Sequence, residues 1–314
     1  MPADILVTAS LPPFLYDPLK ADYRCHDYYQ ARDKDALLAA DGPGIRGLVQ
    51  GGHTATSTTL LDALPKLEII SVFGVGYDGV PAAYCKQRGI KVTNTPDVLT
   101  DDVADVALGL VLMTGRGFVR LNRFVQAGEW EKRGPELTMK LGGRKVGILG
   151  LGRIGKAIAQ RVAAMGMKVA YTGRHRQNVP YEYVGDLKTL AAAVDFLVVA
   201  CPGGEKTRNL VDADVLAALG KKGTLVNIAR GSIVDEAALV AALQAGTIKG
   251  AGLDVFADEP RIPPQLMAMD NVVLLPHVGS ATRETRQAMG DLCKANLDAW
   301  FSDRKVLTLI PELQ

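Results

Sequence analysis

The chain has 314 residues, which is enough for about two domains of ordinary size. Its 36 basic and 34 acidic side chains leave a formal net charge of +2, so bulk charge indicates neither a nucleic acid nor a membrane surface as a partner. Apolar residues make up 48% and charged residues 22% of the chain, as in globular proteins with a sizeable core. The combination of 33 glycines with only 6% aromatic residues directs attention to tight turns and to close approaches of the backbone to a ligand.

The cysteines and the apolar segments exclude several classes of protein. Cys25, Cys85, Cys201 and Cys293 lie far apart without a paired ligand spacing, so neither a disulfide framework nor a metal site is expected. No signal-like segment follows the N-terminus, and the strongest apolar run, residues 106–114, is much shorter than the ~20 residues of a membrane span. We therefore expect a cytoplasmic protein with reduced thiols.

The first hundred residues alternate short β-branched runs with Ala/Leu-rich segments of helical spacing, which predicts βαβ units and an α/β fold. The predicted strands are residues 5–8, 47–49, 69–73 and 91–93, and the predicted helices are residues 34–40, 58–64 and 80–87. These elements form one small α/β domain.

A second series of strands follows and matches the six-stranded doubly wound (Rossmann) sheet. Its predicted strands are residues 145–149, 168–171, 196–201, 224–228, 251–255 and 272–275. A helix that crosses between the domains should begin at Thr100, because a hydroxyl and the carboxylates of Asp101 and Asp102 suit a helix N-terminus.

The amphipathic segment 282–301 comes after the sixth strand and is expected to return to the first domain. Connections near residues 95–100 and 279–285 would then form a double hinge. The predicted domains are residues 1–98 with 286–314, which would bind substrate, and residues 99–285, which would bind a dinucleotide.

A dinucleotide-binding pattern follows the first strand of the second series. The strand runs into Gly150-Leu151-Gly152-Arg153-Ile154-Gly155 and then into a helical segment. The first glycine permits a tight turn, the second lets the backbone approach a pyrophosphate, and the third allows close helix–strand packing. The alternative, a glycine turn that serves packing alone, is disfavoured by the strand and helix on either side.

The end of the next strand lacks the carboxylate that an NAD enzyme offers to the ribose 2′-hydroxyl. The sequence there reads Tyr171-Thr172-Gly173-Arg174-His175-Arg176. Gly173 stands where the acid is expected, and Arg174 and Arg176 can bind a 2′-phosphate. We therefore expect NADPH as the cofactor, with NADH as the weaker alternative. Arginines that only solvate the end of a strand are the other interpretation.

Three later segments each place an ionisable residue at or just beyond the end of a strand: residues 227–231, 252–260 and 275–282. Together with the glycine motif and the loop Phe73-Gly74-Val75-Gly76-Tyr77-Asp78, they closely resemble the D-2-hydroxyacid dehydrogenase family, and especially its glyoxylate/hydroxypyruvate reductase branch. The resemblance covers essentially the whole chain. It implies a flavodoxin-like α/β substrate domain formed by both chain ends.

The resemblance also implies catalytic roles that the chemistry of the residues supports. His277 would be the general acid/base, and Glu259 would pair with it and favour the imidazolium. Arg230 would bind the carboxylate and carbonyl oxygen of the substrate. The backbone amides of Val75 and Gly76 would hold the other side of the carboxylate.

Further positions along the cofactor are implied in the same way, in addition to the glycine turn and residues 173–176. They are Cys201, Pro202, Thr207, Ile228, Ala229, Gly279 and, at the nicotinamide end, Asp254. No base lies near Cys201 in the sequence, so it is expected to pack or to form a wall rather than to act as a nucleophile. The sequence departs from the family pattern at Gly79, where an Asn is usual, and in the missing acidic ribose ligand.

The expected reaction is the NADPH-dependent reduction of small 2-oxo acids, hydroxypyruvate and glyoxylate first, to D-2-hydroxy acids. Phe14, Leu15 and Tyr16 could instead form an apolar wall that admits phenylpyruvate or hydroxyphenylpyruvate. Formate dehydrogenases share the architecture but use a Gln–His pairing, whereas this chain has Glu259.

Structural interpretations of the same residues stay open: a loop histidine at 277, an interdomain salt bridge at 230 and a turn residue at 259. A dinucleotide-sensing, corepressor-like binding protein is the alternative from another class. The family implies a homodimer, formed through the nucleotide domain and residues 116–133. Trp130 resembles a tryptophan that, in some reductases of this branch, reaches the active site of the partner subunit.

Overall fold

The computed structural model describes residues 2–52 and 54–314. The chain divides into two compact units, one formed by Met1–Leu99 with Thr282–Gln314 and the other by Thr100–Ala281. We call them the terminal unit and the central unit. These boundaries differ by a few residues from the predicted ones, and the functions assigned to the two domains stay predictions.

The helices and strands, in chain order, are β1 (Asp4–Val7), α1 (Pro13–Asp22), β2 (Arg24–Asp27), α2 (Lys34–Asp41), β3 (Ile45–Gly51), α3 (Thr58–Asp62), β4 (Ile69–Phe73), α4 (Ala82–Gln87), β5 (Lys91–Thr93), α5 (Thr100–Arg116), α6 (Phe118–Gln126), β6 (Lys145–Leu149), α7 (Arg153–Ala164), β7 (Lys168–Thr172), β8 (Glu182–Tyr183), α8 (Leu187–Ala192), β9 (Phe196–Val199), α9 (Ala213–Leu219), β10 (Thr224–Asn227), α10 (Glu236–Gln244), β11 (Gly250–Leu253), α11 (Pro264–Met267), β12 (Val272–Leu274) and α12 (Arg283–Asp303).

The terminal unit is built on a parallel sheet in the order β2-β1-β3-β4-β5, which is the flavodoxin-like order. Every residue of β4 is buried, as expected for a parallel strand that is covered on both faces. The long helix α12 belongs to this unit, where Ser71 of β4 donates a hydrogen bond to the carbonyl of the buried Cys293 at 2.8 Å.

The sequence did not predict α1 and β2. Pro18 lies inside α1, against the usual helix preference, but Pro13 suits its first turn and burial of Leu15 and Leu19 stabilises it. The strand β2 lies at the edge of the sheet and is only partly buried, so it lacks a clear apolar pattern. Both elements form because tertiary packing outweighs local preference.

The central unit has a doubly wound parallel sheet, which confirms the predicted class. Within the described residues its order is β12-β11-β10-β9-β6-β7-β8, so it has seven strands instead of the predicted six. The missed strand, β8, has two residues, too few for a periodic pattern, and pairs in parallel with β7. Several predicted strands also extended too far, because the loops that follow them contain buried apolar residues such as Ile228 and Val255.

Helix α5 begins at Thr100, as predicted, but lies entirely in the central unit instead of crossing between domains. It packs against α7, β10 and β11, and Arg161 of α7 binds Asp101 and Asp105 at 2.9 and 2.6 Å. Aspartate side chains cap α2, α8, α9 and α10 by accepting a backbone N–H.

All four cysteines are free thiols. Among the described residues, no helix combines the length and apolarity needed to cross a membrane, and no cluster of three or more His, Cys, Asp or Glu side chains could hold a metal ion.

Candidate active site

The glycine-rich turn between β6 and α7 packs tightly against the protein at its first and third glycines and has free space at its second. Gly150 has φ +98°, and a Cβ there would lie 2.7 Å from the backbone of Cys201. A Cβ on Gly155 would lie 2.2 Å from the carbonyl oxygen of Gly150. Apart from its own chain neighbours, no residue that the structure describes has an atom within 4 Å of the corresponding position on Gly152. The turn therefore leaves room for a pyrophosphate where the second glycine presents its backbone.

The rest of the turn suits an anion in the same way. Leu151 is buried and Ile154 is half-buried, so both anchor the segment, while Arg153 is exposed at the first position of α7. The backbone N–H groups and the dipole at a helix N-terminus favour a bound phosphate.

The end of β7 also fits the expected cofactor. Arg174, His175 and Arg176 are exposed, and none has a hydrogen bond or ion pair with a residue that the structure describes. Gly173 has open space where a side chain would project. The two guanidinium groups are therefore available to an anionic ligand, and no carboxylate from residues 171–176 would repel it.

The sheet order reverses between β6 and β9, and the predicted cofactor residues Cys201, Pro202 and Thr207 follow β9 at that point. The Thr207 hydroxyl donates to the Pro202 carbonyl at 2.8 Å and closes the loop. Burial raises the pKa of the Cys201 thiol to about 11, so the thiol is protonated near neutral pH and unsuited to nucleophilic attack. After β10, Ile228 is buried and Ala229 half-buried.

His277 and Glu259 form a direct pair in the central unit. The imidazole Nδ1 donates to Glu259 Oε2 at 2.8 Å, and the side chains are 24% and 26% exposed. The other carboxylate oxygen, Oε1, accepts the Phe256 N–H at 3.0 Å. Glu259 is thus held at both oxygens, and the pair fixes the orientation of the imidazole ring.

Arg230 lies on a turn that Asn227 organises. The Asn227 side chain accepts the Ala229 N–H at 3.0 Å and donates to the Arg230 carbonyl at 2.9 Å. Next to Arg230, a Cβ on Gly231 would lie 1.9 Å from the carbonyl carbon of Phe256. The backbone of the Arg230 loop therefore packs directly on the loop that carries Glu259. The sequence alone indicated no role for Asn227 or Gly231, although both lie in the motif that contains Arg230.

Asp254 holds the backbone that carries His277. Its carboxylate accepts the N–H groups of Val278 and Gly279, each at 2.8 Å, and the residue is only 1% exposed. His277 has φ +53°, a left-handed conformation that is unfavourable for a residue with a side chain. Burial raises the pKa of Asp254 even though the two amides oppose this shift. The predicted contact of Asp254 with the nicotinamide stays a prediction.

In the terminal unit, the predicted substrate loop begins where β4 ends at Phe73. The Val75 carbonyl accepts a hydrogen bond from the Asn94 side chain at 2.8 Å, and the Gly74 carbonyl accepts the Thr95 N–H at 2.9 Å. Because these hydrogen bonds engage the carbonyl oxygens of Gly74 and Val75, the backbone amides of Val75 and Gly76 remain the proposed donors to an anion. Further along the loop, only a glycine fits at position 79, because a Cβ there would lie 2.4 Å from the Thr54 carbonyl oxygen.

The predicted apolar wall of Phe14, Leu15 and Tyr16 is largely wrong. Leu15 is 1% exposed and packs in the core, because the helical spacing of α1 turns it inward with Leu19. The Tyr16 hydroxyl donates to Asp27 at 2.6 Å. Phe14 alone lies beside the predicted substrate loop, with its ring centroid 6.3 Å from that of Phe73.

No pattern in the sequence pointed to Arg286, in the first turns of α12. Its guanidinium lies 5.8 Å from the centroid of the Phe73 ring, and the side chain is half-buried. It has no hydrogen bond or ion pair within residues 2–52 and 54–314, and burial lowers its pKa. An arginine remains charged under these conditions, so the terminal unit carries an uncompensated cation beside the predicted substrate loop.

Comparisons with known proteins show the family to which the chain belongs. The family model described as D-isomer specific 2-hydroxyacid dehydrogenase, NAD binding domain, matches residues 108–279. The chain is 44% identical to hydroxyphenylpyruvate reductase of Plectranthus scutellarioides and 45% identical to glyoxylate/hydroxypyruvate reductase A of Arabidopsis thaliana, with 97% of each chain covered in both cases.

Among solved structures, the chain is similar to an NADPH-dependent glyoxylate/hydroxypyruvate reductase of Sinorhizobium meliloti in complex with NADP and malonate. The TM-score is 0.93 and the identity 46%, with 100% of this chain and 98% of that chain covered. The order of motifs in the sequence, the two parallel sheets and these relatives agree. The chain therefore belongs to the D-isomer-specific 2-hydroxyacid dehydrogenase family, in its glyoxylate reductase branch.

Proposed function

We propose that this protein reduces small 2-oxo acids, hydroxypyruvate and glyoxylate first, to D-2-hydroxy acids with NADPH. The observation that carries the proposal is the 2.8 Å pair of His277 and Glu259, in which the loop that carries Glu259 packs against the turn of Arg230. The names of the relatives from Arabidopsis and Sinorhizobium meliloti support the same substrates.

When bound, NADPH supplies the hydride that adds to the carbonyl carbon of the substrate. Because Glu259 engages Nδ1 of His277, Nε2 is the nitrogen that donates a proton to the carbonyl oxygen. The carboxylate of Glu259 engages Nδ1 and thereby orients the ring. In the oxidative direction, Nε2 takes the proton back.

Arg230 binds the substrate carboxylate and polarises the carbonyl oxygen, tasks that suit its planar, permanently charged guanidinium. In the terminal unit, the backbone amides of Val75 and Gly76 are the proposed donors to a substrate carboxylate. The glycine turn would hold the pyrophosphate of the cofactor, and Arg174 and Arg176 would hold its 2′-phosphate. The exposure of these two arginines and the absence of an acid from residues 171–176 support NADPH over NADH.

Arg286 favours a substrate with a polar substituent. A half-buried guanidinium gains most from a ligand group that can accept a hydrogen bond, and the hydroxyl of hydroxypyruvate is such a group. The alternative, reduction of phenylpyruvate or hydroxyphenylpyruvate, is supported by the relative from Plectranthus and by the neighbouring rings of Phe14 and Phe73.

The test is the rate of NADPH oxidation with hydroxypyruvate, glyoxylate, pyruvate and phenylpyruvate. We expect hydroxypyruvate and glyoxylate to have the highest kcat/KM. Fastest turnover of phenylpyruvate would favour the aromatic alternative. Dinucleotide-dependent binding of another protein without any turnover would favour the sensor class.

A homodimer is part of the proposal. Phe118, Val125, Trp130 and Leu137 are 45%, 52%, 65% and 99% exposed on one stretch of the central unit, and apolar side chains of this size favour burial by a partner. Sedimentation analysis should find a dimer that Val125→Glu weakens. Trp130 would contribute to the same surface.

A further inference from the structure

The two exposed arginines lie on a loop that connects β7 to β8. The pairing of Tyr171 with Tyr183, together with a hydrogen bond from the Val184 N–H to the Tyr171 carbonyl at 2.9 Å, brings the ends of this loop together. The short strand that the sequence did not reveal therefore serves to close the loop.

Tyr171 fixes the C-terminal end of the segment that carries Arg174 and Arg176. Its ring is fully buried, and its hydroxyl accepts the Gln177 N–H at 2.6 Å and donates to the Gln177 carbonyl at 3.3 Å. Both backbone polar groups of one residue are thus bound to a single side chain that the core keeps fixed.

Tyr183 fixes the N-terminal end of the same segment. Its ring centroid lies 5.3 Å from that of Tyr171, and its hydroxyl donates to the Gly173 carbonyl at 3.3 Å. Gly173 and Gln177 are therefore both anchored, and the exposed Arg174 and Arg176 lie between them.

The Gln177 side chain connects this loop to the glycine turn. Its Nε2 donates to the carbonyl of Leu151 at 2.9 Å, and Leu151 lies between Gly150 and Gly152. The segment that would bind the 2′-phosphate is thus tied directly to the segment that would bind the pyrophosphate.

We infer that Gln177, supported by Tyr171 and Tyr183, is a positioning residue that fixes Arg174 and Arg176 relative to the pyrophosphate turn and thereby makes the enzyme selective for the 2′-phosphate. Ordering a loop upon binding would cost conformational entropy, and a loop that is already ordered avoids this cost. The inference rests on the proposed preference for NADPH.

The experiment compares Gln177→Ala with Asn178→Ala, an exposed neighbour on the same loop that serves as the matched control. Gln177→Ala removes the bond to Leu151 and leaves the backbone contacts with Tyr171 intact. For each variant, KM is measured with NADPH and NADH, and Kd is measured by titration with NADP+ and NAD+. We expect Gln177→Ala to weaken NADPH and NADP+ about fivefold, the worth of one hydrogen bond, and to change NADH and NAD+ by less than about twofold. Asn178→Ala should behave like the wild type.

A double-mutant cycle gives a second readout that a general loss of stability would not produce. If Gln177 acts through the arginines, its substitution should have little further effect on NADPH once Arg174 and Arg176 are both replaced by Ala. If the wild-type protein prefers NADPH but Gln177→Ala weakens the binding of both cofactors equally, the inference about Gln177 is overturned while the cofactor assignment stands. A wild-type protein without preference for NADPH would overturn the cofactor assignment and the inference together.

Discussion

Two regions of the central unit hold their charged groups in opposite ways. Around His277, side chains from distant segments engage the functional residues: Glu259 binds the ring and Asp254 binds the backbone that follows it. At the end of β7, Arg174 and Arg176 make no such contacts within the described part of the chain, and only the backbone on either side of them is anchored.

The difference corresponds to the work proposed for each region. A proton donor must have a set orientation and charge before the substrate arrives, so its partners are part of the protein. A phosphate-binding arginine finds its partner in the ligand, and a carboxylate from the protein would compete with it. Substitutions in the first region should therefore lower turnover, whereas substitutions in the second should change the KM of one cofactor.

The largest expected effect comes from His277→Ala. Without the proposed acid/base, kcat for 2-oxo acid reduction should fall by roughly 10²–10⁴-fold while Kd for NADP+ stays unchanged. Steady-state kinetics and a cofactor titration on the same preparation measure both quantities. Retained turnover would remove His277 from the mechanism.

Gly231→Ala should have the second largest effect on catalysis. The added Cβ would lie 1.9 Å from the Phe256 carbonyl carbon, so the Arg230 and Glu259 loops must separate. Misplacement by about 1 Å is expected to lower kcat/KM by about 10²-fold. Gly246→Ala is a control for mutation of a glycine in the same unit where space is open, although its φ of +65° predicts some loss of stability. Equal kcat/KM in the two variants would contradict the importance of the contact between the loops.

Arg174→Ala should have an intermediate and selective effect. Loss of a charge-assisted contact with the 2′-phosphate should raise KM for NADPH about tenfold to a hundredfold and leave KM for NADH nearly unchanged. Arg153→Ala, at the pyrophosphate turn, should instead affect the two cofactors alike. An equal rise of KM for NADPH and NADH in Arg174→Ala would mean that the arginine does not bind the 2′-phosphate.

Cys201→Ala should have the smallest effect. Cys201 lies beside Gly150, but burial raises the pKa of its thiol to about 11, so the thiol is neutral at pH 7 and takes no part in the chemistry. We expect kcat to change by less than about twofold and a thiol-directed reagent to react slowly at neutral pH. A collapse of kcat with normal folding would assign the thiol a direct role.

The residues of the candidate site could be singled out from the sequence, because the glycine turn and the residues Arg230, Glu259 and His277 lie in short motifs at or beyond the ends of strands. The helix α1 could not be predicted, because Pro18 in its sequence is unfavourable for a helix. Tertiary packing stabilises the helix nevertheless. The two residues of β8 are too few to form a pattern.

The contacts that position the functional groups were also hidden. Gln177 reaches Leu151 across 26 positions of the chain, and Asp254 reaches Val278 across 24. Neither spacing is periodic, and glutamine and aspartate are common at surfaces, so only the folded chain reveals their partners. The burial of Leu15 and the position of Arg286 beside Phe73 depend on helix packing in the same way.

The most direct test of the proposed function is the reduction of hydroxypyruvate by the wild-type protein with NADPH and with NADH under identical conditions. We predict that kcat/KM is at least about tenfold higher with NADPH, the worth of one charge-assisted contact. Equal efficiency or a preference for NADH would contradict the role of Arg174 and Arg176, and no turnover with either cofactor would contradict the proposed reaction.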